Sequence, residues 1–171
     1  MDTRNEAPSP QKVLGALIAQ FVVFLLLGLA IWYATDRPLS RFIDPNLRSI
    51  LLGLALGGAM IAAAWLLFRL LPRIAERFIR MQGKTYGFLG DRLSLPVIVL
   101  ISIGAGVGEE ALFRGGLQTL TTDYVGPVGG IAIASMIFAA VHLSKPPIMA
   151  IIFMIGVLLG WVYWVTGSLL I

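Results

Sequence analysis

The chain has 171 residues, of which 58% are hydrophobic and only 13% charged, with a net charge of +4 and no cysteine. Soluble domains carry about 25% charged residues, so this composition belongs to the membrane and leaves no polar stretch long enough for a separate soluble domain. Disulfides, thiol nucleophiles and cysteine-bound metals are excluded outright. The expected fold is an all-α, polytopic transmembrane helix bundle of about five spans, with the start of a sixth and a basic surface helix.

Residues 1–12 read as a disordered polar tail with Pro8 and Pro10, followed by one membrane-embedded domain over 13–171. Val13–Ala34 is a 22-residue apolar run broken only by Gln20, long enough to cross a hydrocarbon core and too long for a signal peptide. Thr35–Arg48 is a polar connection. Ser49–Leu71 is the second span, with Gly53 and Gly57 at a spacing that admits close helix approach. Arg69, Arg73, Arg77 and Arg80 then recur at three- and four-residue spacing, which predicts a helix leaving the membrane and lying along an anionic lipid surface. The same clustering is a poor fit to nucleic acid, and none is expected as a partner. Gly83 and Gly87 mark a loop.

From Leu93 the chain is apolar again, and one helix is expected to run through about Leu120. Gly104, Gly106 and Gly108 do not form a phosphate loop, since no strand precedes them and no Lys-Ser or Lys-Thr follows. They suit close packing. Thr121–Pro127 is expected as a turn, Val128–His142 as the fourth apolar run, and Ser144–Pro147 as a second turn. Ile148–Val165 is the fifth span, and Leu169–Ile171 is expected to open a sixth helix. Nine Lys and Arg residues fall on one side of this topology and three on the other, which puts the N-terminus in the cytoplasm. The expected location is the bacterial plasma membrane.

The chemistry concentrates in Glu109, Glu110 and Arg114, charged groups inside an apolar segment, where an ionisable residue marks a functional site. Glu110 and Arg114 are four apart and share a helix face in the favourable order. Mutual neutralisation and a functional role both fit this pair. Glu109 points about 100° away and has Phe113, not a counter-charge, four residues along. Two adjacent carboxylates in apolar surroundings do not readily ionise together, which suits general acid–base work. His142, four residues after Phe138, is the only histidine. Its spacing alone fits an interface residue as well as a catalyst. No His-x-x-x-His or Glu-x-x-His pair is present, so the metal signal is weak.

Glu109-Glu110-x-x-x-Arg114, extended by Phe113-Arg114-Gly115 and followed by Phe138-x-x-x-His142, resembles the first two motifs of the CPBP family of intramembrane proteases. That family includes the CAAX prenyl endopeptidase and bacterial proteins linked to bacteriocin processing and immunity. The resemblance covers about Leu93 to Ile171, including the Gly156-x-x-x-Gly160 helix and Thr166-Gly167-Ser168. It implies hydrolysis of a peptide or prenylated protein substrate in the bilayer. Glu109 would activate the attacking water, His142 would assist or stabilise the oxyanion, and Glu110 and Arg114 would organise the site, with Phe113 and Phe138 supporting. No cofactor is expected, although zinc has been suggested for the family. A third family motif, a histidine followed four residues later by asparagine, has no counterpart before Ile171. The expectation from this is a fragment, or an impaired homologue serving as a membrane scaffold or immunity-type protein. A water-filled cavity open to the cytoplasm is expected to join Glu109 to His142.

Overall fold

The computed structural model describes residues 10–43, 45–86 and 94–171. Within them the chain is helical without strands. Helix α1 spans Pro10–Ala34, a short 3-10 turn spans Leu39–Arg41, α2 spans Leu47–Leu70, and α3 spans Pro72–Tyr86. Helix α4 (Leu95–Glu110) passes directly into a π-helix (Ala111–Gln118) and then α5 (Thr119–Val141); α6 spans Pro146–Thr166.

Four stretches are apolar and long enough to cross a membrane: Gln11–Ala34, Leu47–Leu70, the 47-residue Leu95–Val141, and Pro146–Thr166. The third is two helices in fact. Gly126 has φ 75° and ψ 172° and breaks it. That φ suits glycine, and Pro127 both bars the helical conformation at the residue before it and starts the next segment well. The turn expected over Thr121–Pro127 is thus compressed to one residue, and Thr121–Val125 remain helical. Counting this break, the apolar helical segments roughly match in number the spans read from hydropathy.

Other boundaries follow local chemistry. Helix α1 begins at Pro10, so residues 10–12 are helical rather than tail; residues 1–9 lie outside the described residues. Asn46 caps α2 by accepting from the Ser49 amide at 2.8 Å. Gly83 lies inside α3, not in a loop, and Gly87 is outside the described residues. Gly167, with φ 67°, ends α6 in the left-handed conformation. Leu169–Ile171 do not open a sixth helix. They form a turn in which Leu169 packs on the Trp32–Phe42–Ala111 cluster and the Leu170 carbonyl meets Gly53.

The packed core is α1, α4, the π-helix, α5 and α6. At Gly28 helix α1 crosses so close to the Ala111 carbonyl that a Cβ would collide with backbone. Gly104 and Gly108 face Phe21 of α1, whereas Gly106 faces open space. The connection after α1 folds over the far end of the π-helix. Phe42, 2% exposed, meets Trp32 edge-on at 5.3 Å, and Arg37 grips both carboxylate oxygens of Asp123 at 2.7 and 2.8 Å. Helices α2 and α3 stand apart from this core. No residue of the apolar α2 stretch most suited to crossing is buried, and Gly57, unlike Gly53, touches nothing.

Candidate active site

The site is built on the α4–π junction. Residues 111–116 and 118 are all buried, and Phe113 and Arg114 are the most enclosed large side chains, at 1% and 2% exposure. A π-helix widens the turn and is uncommon; such segments concentrate at functional sites. Here it turns Arg114 and Gln118 inward, towards α6.

Arg114 has three partners. Its Nη1 lies 3.3 Å from Glu110 Oε1, its Nη2 donates to the Gly156 carbonyl at 3.1 Å, and its guanidinium carbon stands 4.9 Å from the centre of the Phe138 ring. The Glu110 contact is an ion pair rather than an aligned hydrogen bond, since Nη1 has no hydrogen-bond partner. A buried arginine without such neighbours would carry the cost of an uncompensated charge. The pair expected from the four-residue spacing is therefore present.

Phe138 ties the two motifs together. Its ring meets Phe113 at 5.0 Å and His142 at 4.7 Å, both edge to face, and Phe24 of α1 covers Phe113 at 5.9 Å. Its carbonyl lies 2.7 Å from His142 Nδ1. A carbonyl only accepts, so Nδ1 carries the proton, and in the neutral ring Nε2 keeps its lone pair.

Glu109 is half-buried and has no ion pair among the described residues. Its carboxylate is within electrostatic reach of His142 and of Arg114. The helix levels explain how Glu109 and His142 approach each other. Arg114 faces Gly156, ten residues or about 15 Å into α6. Glu109, five residues earlier, stands more than a turn closer to the end where His142 and Pro146 lie. The carboxylate is thus not stranded at mid-helix relative to His142.

A cavity lies elsewhere in the helix bundle. A space of about 460 Å³ opens between α1 and α4, lined by Leu17, Phe21, Phe24, Ile103, Gly104 and Val107, among others, with Gln20 its polar residue. Neither Glu109 nor His142 lines it. Phe24 both lines this space and packs on Phe113.

Several participants escaped the sequence reading. Gln118, 3% exposed, donates from Nε2 to the Gly160 carbonyl at 2.8 Å. Thr119 Oγ1 donates to the Arg114 carbonyl at 2.8 Å and lies 3.1 Å from the Tyr163 hydroxyl. Gln118 follows Arg114 by four residues, as Arg114 follows Glu110, and that repeat was the available signal. Among the described residues no three His, Asp or Glu side chains gather closely enough to hold a metal ion.

Residues 91–171, the half that carries this site, match the family model described as Type II CAAX prenyl endopeptidase Rce1-like. Through that segment the chain is similar to the Rce1-like CAAX prenyl endopeptidases. It is also 38% identical over 84 residues to the uncharacterized protein YpbD of Bacillus subtilis strain 168, covering 47% of this chain and 40% of that protein. The chain therefore spans less than half the length of that relative. No solved structure matches it. This similarity, with four helical stretches apolar and long enough to cross a bilayer, supports an integral membrane protein.

Proposed function

We propose that the protein is an intramembrane endopeptidase of the CAAX-protease type, with Glu109 as the general base. The observation that carries this reading is the division of labour between neighbouring carboxylates: Glu110 is paired with Arg114, whereas Glu109 has no ion pair among the described residues and lies within electrostatic reach of His142.

A water between them would give one proton to the Glu109 carboxylate, while its other O–H stays on the oxygen and donates a hydrogen bond to His142 Nε2. The oxygen attacks the scissile carbonyl carbon, and a C–O bond forms as the carbonyl becomes an oxyanion. Collapse breaks the C–N bond, and the protonated Glu109 returns its proton to the leaving amine. The Nδ1 bond to Phe138 supports this role for His142, because it leaves Nε2 free to accept. Donation from Nε2 to the oxyanion would require the imidazolium. Arg114 serves as a holder, since Glu110, Gly156 and Phe138 occupy its guanidinium.

Zinc fits this donor set poorly. Glu110 is held by Arg114, and no three-ligand group exists among the described residues, so no step is assigned to a metal. The substrate class is a peptide tethered to the membrane by a prenyl group or a helix, in the bacterial plasma membrane, with the N-terminus cytoplasmic as the Lys and Arg distribution favours. The test is the full chain in lipid with such a peptide, comparing wild type with Glu109→Ala and His142→Ala. Cleavage by wild type alone is expected. Equal cleavage by all three would sink this reading of Glu109 and His142, and no cleavage by any of them would favour a non-catalytic scaffold.

A further inference from the structure

Two side chains of the π-helix grip two carbonyls of α6 at matching intervals. Arg114 donates to Gly156 and Gln118 donates to Gly160, four residues apart on both helices. Carbonyls inside a helix already accept from the amide four residues on, so the second lone pair must be exposed sideways. Glycine exposes it. A Cβ at Gly160 would stand 2.7 Å from Gln118 Oε1, and one at Gly156 would stand 3.0 Å from Ser135 Cβ. A slip of the π-helix by one residue would break both grips together, and would carry Arg114 away from Glu110.

Gln118 is unusual in that arrangement. Its Nε2 is satisfied, but its Oε1 is buried without a hydrogen-bond partner. Burying an unpaired acceptor is unfavourable. A leucine of similar size would fill the space without that penalty and would lose only the donor. Arg114 by itself does not fix the register, because its fork is shared among a carboxylate, a carbonyl and a ring. The amide of Gln118 makes a single directed contact one turn further on.

We infer that Gln118 is a positioning residue, whose bond to the Gly160 carbonyl sets the register of the π-helix on α6 and so holds Arg114 beneath Glu110. The inference rests on the protease reading for its kinetic consequence, but the register itself does not. The bond acts on the orientation of the Glu109–Glu110 end of the helix rather than on substrate contact. A displacement there changes turnover and leaves binding alone.

The test compares Gln118→Leu with wild type, as full chains in the same lipid, by turnover of a membrane-tethered peptide, thermal unfolding and amide exchange over residues 111–118. The expected result is a fall in kcat of about 10-fold with KM within about 2-fold, and an unchanged or raised unfolding temperature. An unchanged kcat, or losses of kcat, KM and stability together, would mark Gln118 as a packing residue and overturn the inference. If wild type cleaves nothing, the protease reading fails by itself and exchange decides. Faster exchange confined to 111–118 supports the register role, and uniform or unaltered exchange overturns it. Should Gln118→Leu not fold, Gly160→Ala in wild-type and Gln118→Ala backgrounds replaces it. The added methyl is expected to slow turnover only where Gln118 is present, and equal slowing in both backgrounds overturns the inference.

Discussion

The two halves of the molecule are both apolar and helical, yet they are held in different ways. In α2 and α3, hydrophobic side chains such as Leu54, Ile61 and Trp65 face outward, and their contacts with one another are local: Arg69 over Trp65 at 5.5 Å, Phe68 against Phe78 at 6.0 Å. In the motif-bearing half, the π-helix is enclosed by α1, α5 and α6, and its polar groups reach across to other helices. Apolarity in the first half answers to the surrounding solvent. In the second it answers to packing, and polar residues specify which helix sits where. The comparison teaches that hydropathy reveals which segments enter a membrane but not which of them form the core.

The largest expected effect that sharpens this contrast is at Arg114. Arg114→Leu leaves the Glu110 carboxylate without its counter-charge and is expected to destabilise by about 3–5 kcal/mol, read as thermal unfolding in lipid. The paired change Glu110→Leu/Arg114→Leu should recover much of that loss, because no charge is then left unmatched.

A matched pair of glycines comes next. Gly28→Ala drives a methyl into the Ala111 backbone and should cost about 1–3 kcal/mol, with lowered turnover. Gly57→Ala on α2 meets nothing and should change stability by less than about 0.5 kcal/mol. Equal costs at the two positions would break the contrast between the packed core, which includes α1, and α2.

A small effect is also expected at the far end of the site. Arg37 and Asp123 form a two-pronged pair, but their side chains are 28% and 43% exposed. Arg37→Ala should cost about 0–1 kcal/mol and lose even that at high salt.

Much of this was legible in the sequence. Run lengths gave the spans, and four-residue spacing gave both the Glu110–Arg114 pair and the Phe138–His142 contact. The physical reason is that these are local relations, fixed by helix geometry alone. The π-helix was not legible, because its extra width follows from packing against α1 and α6 rather than from any residue preference in Ala111–Gln118. The grips on Gly156 and Gly160 were missed for a related reason: glycine spacing announces close approach, but not that carbonyls thereby become acceptors. The Gly126 break was readable more narrowly than a seven-residue turn, since a Gly-Pro pair localises it. The cavity between α1 and α4 was not legible, because sequence shows which charges need water and not where side chains leave space.

The most direct test of the central claim substitutes the two neighbouring glutamates by their isosteric amides and measures turnover and unfolding temperature for each. The account predicts that Glu109→Gln removes cleavage, by about 10³-fold or more, and leaves the unfolding temperature unchanged. Glu110→Gln should lower the unfolding temperature, because Arg114 stays buried beside a neutral amide. Full turnover in Glu109→Gln, or a loss of stability at Glu109 with none at Glu110, would contradict it.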